Sequence, residues 1–181
     1  TGHSKKQLDM VKIFKKLVND KGLENWELHF IGSVHKGETH QQYFEQTQFE
    51  AQGYPIHFHI DTPFSELKRR LGEAKIYWHA TGLDENEERN PIVFEHFGIT
   101  TIEAMAAGCV PVVINGGGQK EIVTPEAGFT WNNREEWIKQ THRVITDQAL
   151  WKRTQKEALK RADYFSRDAF KKRFVDILDK L

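Results

Sequence analysis

Residues 95–123 read EHFGITTIEAMAAGCVPVVINGGGQKEIV, and the order of features within them decides the fold. Two glutamates, Glu95 and Glu103, stand eight positions apart with Gly98 between them. An alanine-rich helical pattern covers 100–107 and ends at Gly108. The apolar run Val110, Pro111, Val112, Val113 and Ile114 follows, and three glycines, Gly116, Gly117 and Gly118, then lead to Glu121. The stretch is a loop, a helix, a buried strand, a glycine loop and a second helix. Such alternation builds a parallel α/β sheet, which takes ligands where loops leave the carboxyl ends of its strands.

The same alternation continues outward. Upstream, Leu8, Val11, Phe14, Leu17 and Val18 recur at helical spacing and predict a helix over 7–19. A β-rich run over 26–31 predicts a strand, and 39–52 predicts a helix with Tyr43, Phe44 and Phe49 on one face. Residues 56–60 alternate apolar side chains with His57 and His59, a strand pattern. Asp61 and Thr62 precede Pro63, as a cap and first turn for a helix over 64–74. Another strand begins at Ile76. Residues 84–90, DENEERN, have no periodicity and read as a solvated charged loop. Downstream come a strand over 128–131 and helices over 133–146, 148–164 and 167–180. The sum is one α/β domain over residues 1–181: a Rossmann-like parallel sheet of about five strands with helices on both faces and a helical C-terminal segment. A doubly wound domain normally opens on a strand, whereas this chain opens on a helix and without methionine. The expectation is therefore a longer parent protein with the first strand upstream.

Composition excludes several classes. A chain of 181 residues buries roughly 70% of its unfolded surface and needs no staple. Lys and Arg number 26, as do Asp and Glu, so no global field favours nucleic acid. No apolar run approaches the roughly 18 residues of a membrane span. Cys109, the single cysteine, excludes an internal disulfide and leans toward a reducing compartment. A cytoplasmic location is expected, with the longer parent able to sit at a membrane periphery.

The residues themselves suggest an anion site. The Phe97-Gly98-Ile99 turn opens a helix whose first N–H groups lack intrahelical partners, and a diphosphate is their natural guest. Glu103, among Ala104, Ala106 and Ala107, reads as a carboxylate in buried surroundings that could accept a sugar diol. Glu95, on the preceding loop, could reach a group beyond the phosphates. Taken alone, these residues also fit an ordinary loop-to-helix turn with one capping and one surface glutamate. His57 and His59 with Asp61 read as one strand face rather than metal ligands, and His29 and His79 as packing or loop residues. No metal site is expected. The basic residues of 152–161 and 171–173 read as solvated helix faces, and Phe165, Phe170 and Phe174 as candidates for an exposed interdomain patch.

The segment E-x7-E with FG between, then EAMAAGCVPVV, then GGxxEIV, resembles the carboxy-terminal domain of retaining GT-B glycosyltransferases, in particular the glycosyl transferases group 1 family. The resemblance is dense over 78–123. It implies that Glu103 binds the donor ribose, that Glu95 reaches the transferred sugar, and that the backbone of Phe97, Gly98, Ile99 and Thr100 holds the diphosphate. His96 joins the donor site beside Glu95. Lys5, nine residues before Phe14, matches the phosphate-clamping lysine, and Ile60 and Asp61 match the loop at the base. The family's partner arginine and the glycine after its lysine are absent here. The implied activity is metal-independent transfer of a hexose, with retained configuration, from a nucleotide-diphospho-sugar to a hydroxyl of a glycan, lipid or other acceptor. No cofactor is implied. The acceptor half would belong to an N-terminal domain outside this chain, leaving the isolated domain inactive. A GT-B nucleotide-sugar epimerase or hydrolase, and a non-catalytic nucleotide-sugar-binding module, remain open alternatives.

Overall fold

The computed structural model describes residues 3–23 and 25–180. A short 3-10 helix at His3–Lys5 leads into α1 (Gln7–Lys21), β1 (Leu28–Gly32) and α2 (Glu38–Glu50). Then come β2 (Ile56–Ile60), α3 (Phe64–Glu73), β3 (Ile76–His79) and a 3-10 turn at Pro91–Val93. The organising stretch supplies α4 (Ile99–Ala106), β4 (Val110–Ile114) and the single turn α5 (Gln119–Ile122). The chain ends with β5 (Phe129–Trp131), α6 (Arg134–Thr146), α7 (Gln148–Tyr164) and α8 (Arg167–Leu178). The alternation read from the sequence is the observed order.

All strand pairs are parallel, but the strands divide into two sheets, β1-β2 and β3-β4-β5. β4 is central in its sheet and buried at every residue, as expected where helices cover both faces. Its side chains alternate between two cores. Val110, Val112 and Ile114 face α1 and α6, meeting Leu17, Trp137 and Val144. Val113 faces Met105 of α4, Ile122 of α5 and Ala158 of α7. Trp131 and Trp137 stack at 4.4 Å, and the indole of Trp78 donates to Thr141 Oγ1 at 3.1 Å. Pro111 is tolerated in a central strand because pairing with β5 starts only at Val112. Its missing N–H therefore removes no bond from that ladder.

Three expectations are corrected. Phe49 does not share the buried face of α2; it is exposed, and Thr47 is buried there instead, its hydroxyl donating to Tyr43 O. Asp61 and Thr62 do not cap α3: the N-cap is Pro63 without a side-chain bond, and Asp61 takes a left-handed conformation. The 84–90 loop is not simply solvated. Arg134 clamps Asp84, and Glu87 accepts from Gly117 N at 3.1 Å and from Lys120 Nζ at 2.8 Å. Phe170 and Phe174 of α8 stack on each other and are exposed, whereas Phe165 packs against the core.

Candidate active site

The site grows from Gly98. This residue is the N-cap of α4 at φ 96°, with no side-chain cap. A Cβ there would lie 2.7 Å from Gln119 Nε2 and 3.0 Å from Ile122 Cδ1, so both sterics and backbone select glycine. Gln119 is fully buried, accepts from Thr101 Oγ1 at 2.9 Å, and thereby ties α4 to the glycine turn. The turn presses on the loop before α4: Gly118 N donates to Glu95 O at 2.7 Å, and a Cβ on Gly117 would meet the same carbonyl at 2.3 Å. Tyr77 of β3 donates to Thr100 Oγ1 at 2.8 Å. The start of α4 is thus held from three sides, and its first N–H groups have no partner within the helix.

Two sequence-predicted residues, 90 positions apart, meet here. Lys5 Nζ lies 2.8 Å from Glu95 Oε2. The same oxygen lies 3.3 Å from Nε2 of His79, the last residue of β3. Burial works to raise the Glu95 carboxyl, but the hydrogen bond and charge of Lys5, aided by His79, outweigh it and hold it below the usual range. His79 is almost fully buried, and that burial, with the Lys5 charge, pushes it down to about 4 against the pull of Glu95. The His79–Glu95 contact is therefore a hydrogen bond from a neutral Nε2–H at neutral pH, not an ion pair. Its Nδ1 is buried without a partner among the described residues. Sequence reading takes His79 as a packing or loop residue; its place at the end of a strand, where ligand sites collect, is the available signal.

Glu103 departs from its expected surroundings. It is exposed, on the face of α4 that also carries Ile99, Thr100 and Ala106, and its side chain has no hydrogen bond or ion pair with another described residue. The alanine flanks misled because only Ala104 is fully buried. His96, Phe97 and Thr100 are also exposed, with the Phe97 ring edge-on to Phe165. Ile60 ends β2 in the other sheet and Asp61 follows it, its N–H donating to Gly32 O; no hydrogen bond joins them to the Glu95 cluster. A cavity of about 360 Å³, lined in part by Asp84, Glu87, Phe94 and Arg134, opens at the carboxyl ends of the larger sheet. Its carboxylates, Asp84, Glu85, Glu87 and Glu135, outnumber Arg134 and disfavour an anionic guest.

The family model described as "Glycosyl transferases group 1" matches residues 2–161. The chain belongs to the glycosyl transferases group 1 family. Among curated relatives it is 33% identical over 132 residues to the GDP-Man:Man(3)GlcNAc(2)-PP-Dol alpha-1,2-mannosyltransferase of Xenopus tropicalis, covering 68% of this chain and 25% of that protein. It is 30% identical over 185 residues to the human protein of the same name, covering 94% of this chain and 35% of the relative. The chain thus spans about a quarter to a third of these two relatives. In fold it is similar to Anabaena HepE in complex with UDP, with TM-score 0.77 at 16% identity over 99% of this chain and 46% of that one. It is also similar to the C-terminal domain of the Francisella tularensis group 1 protein LpcC, with TM-score 0.69 at 16% identity over 90% of this chain and 80% of that one. Parallel sheets flanked by helices are the Rossmann-like half of a GT-B fold. No described helix is long and apolar enough to cross a membrane.

Proposed function

We propose that this chain is the donor-binding half of a retaining mannosyltransferase that takes the sugar from GDP-mannose. The observation that carries the reading is the convergence of Lys5 and the glycine-capped start of α4 on Glu95. The names of the relatives supply the sugar and the base. In this reading the N–H groups at 98–100 and the Lys5 ammonium hold the diphosphate. Glu103, open to solvent, accepts the ribose hydroxyls, and Glu95, held by the neutral His79, reaches the mannose. As the bond from the sugar's anomeric carbon to the phosphate oxygen breaks, negative charge grows on that oxygen. Fixed donors aimed at such charge lower a barrier by about 3–4 kcal/mol each elsewhere. The acceptor oxygen bonds the same face of the anomeric carbon, and its proton passes to the departing phosphate. The acceptor would be held by a part of the longer protein outside this chain, so the chain alone would at most hydrolyse donor slowly.

Melting curves and calorimetry with GDP, UDP and ADP, each free and sugar-linked, test this. GDP-mannose at ~100 times its dissociation constant should stabilise the fold by about 2.7 kcal/mol, and a control acceptor mixture should give no robust transfer. If no nucleotide at millimolar concentration moves Tm, donor binding is wrong. A preference for UDP-sugars keeps donor binding and removes the guanine assignment.

A further inference from the structure

The smaller sheet carries a histidine constellation that donor binding does not use. β1 and β2 pair in register, with His29 directly opposite His57. Side chains two apart on a strand share a face, so Glu27 and His29 point the same way, as do His57 and His59. The other face is apolar, with Phe30 stacked on Phe58 and Phe44 of α2 set edge-on against it. All four polar groups therefore gather on the face away from α2.

Their donor atoms are close. Glu27 Oε2 lies 3.0 Å from His29 Nε2 and 3.7 Å from His57 Nε2. One donor atom from each of Glu27, His29 and His57 can be chosen so that all lie within 4.8 Å of one another. Two ligands on one tetrahedral zinc ion stand about 3.4 Å apart, from bond lengths near 2.0–2.1 Å. The two spacings to Glu27 bracket that value, and the His29–His57 spacing, within 4.8 Å, closes by rotation of the two imidazoles. His29 also has the outer support that ligating histidines use: its Nδ1 lies 3.0 Å from His59 Nε2. With Nε2 on a metal, Nδ1–H would donate to His59, fixing ring and tautomer. Arg70 Nε donates to Glu66 Oε1 at 2.7 Å. Arg70 Nη1 lies 3.3 Å from the same His29 Nδ1, so metal loading requires that guanidinium to turn away before Nδ1–H can donate to His59.

We propose that Glu27, His29 and His57 bind one divalent transition-metal ion of the zinc type, with His59 as the positioning residue and water completing the shell. Two imidazoles and one carboxylate suit zinc, cobalt or nickel and not magnesium or calcium, which take oxygen shells. The ion would cross-link β1 to β2, a two-stranded pair of the kind that is marginal alone. The site lies on the β1-β2 sheet, whereas Glu95 stands on the loop before α4, and the proposal stands whether or not the donor assignment holds.

Chelator-treated protein, titrated at pH 7.5 with zinc chloride by calorimetry and with cobalt chloride by visible absorption, tests the site. Expected are one equivalent bound at micromolar zinc, cobalt bands of reduced symmetry, a rise in Tm of several degrees, and no competition from millimolar magnesium. His29→Gln and His57→Gln should each weaken zinc at least about tenfold. His59→Gln should weaken it while keeping the cobalt band shape, and His35→Gln, outside the cluster, should change nothing. These side chains are partly exposed, and circular dichroism reads whether each variant is folded. Absence of stoichiometric binding below ~100 μM zinc, well above the proposed range, would overturn the proposal. So would equal losses in His35→Gln and His57→Gln, which would mark generic histidine binding.

Discussion

At the scale of single residues, Glu95 and Glu103 are two carboxylates in opposite situations. Glu95 is 24% exposed in its side chain, tied to Lys5 and His79 before any ligand arrives. Glu103 is open and untied. A ligand that meets Glu103 therefore gains a hydrogen bond to a charged group at the cost of solvent alone, a net of about 1.5–3 kcal/mol. Glu103→Gln should weaken GDP and GDP-mannose alike by roughly tenfold or more, at 1.4 kcal/mol per decade. Glu95→Gln should behave differently. It removes the negative partner of Lys5 and frees that ammonium for phosphate, so GDP should bind as well or slightly tighter, while the extra affinity for the mannose-bearing form falls. Calorimetry on both variants with both ligands reads the difference. Equal loss of the two ligands in Glu95→Gln would take that residue off the sugar.

At the scale of elements, two glycines at helix ends separate two physical effects. Gly98 caps α4 at positive φ with Gln119 and Ile122 pressed against its Cα. Gly72 is the penultimate residue of α3, with open space where a Cβ would go. Gly98→Ala should cost at least about 1–2 kcal/mol for the left-handed conformation alone. Gly72→Ala should instead stabilise, by up to about 0.5–1 kcal/mol, because alanine loses less backbone freedom in a helix. Urea unfolding of the pair measures both, and a stabilising Gly98→Ala would contradict the packing described at the start of α4. The same elements show what could be read from sequence. α4, β4 and the glycine turn were legible because each is decided by local chemistry: a helical pattern, a continuous apolar run, residues that bend. Lys5 was found by its spacing in a family pattern. The exposure of Glu103 and the role of His79 were not legible, because both depend on which face of α4 or which end of β3 meets a neighbour distant in sequence. Phe49 fails for the same reason: helical spacing groups side chains but does not say which group is covered.

At the scale of the whole molecule, burial is unevenly shared between the two sheets. β4 is buried at every residue and is flanked by helices that each contribute buried side chains, among them Leu17, Met105, Trp137 and Ala158. β1 and β2 hold no fully buried residue, and neither does α3 between β2 and β3. Parallel strands are normally covered on both faces, so the β1-β2 pair is underburied for its class. Free energies of local opening follow buried apolar contacts, so the two sheets should open separately. Hydrogen exchange on metal-free protein should show amides of β4, α4 and α7 exchanging near the global unfolding free energy. Amides of β1, β2 and α3 should exchange through a smaller opening, lower by at least about 1.4 kcal/mol and so roughly tenfold faster after correction for intrinsic rates. The difference should persist when GDP-mannose is added, since the proposed phosphate contacts lie at α4 and stabilise the larger sheet first. Uniform protection across β1, β2 and β4 would mean that the two sheets unfold as one cooperative unit, and that the half-exposed strands draw their stability from the β4 core.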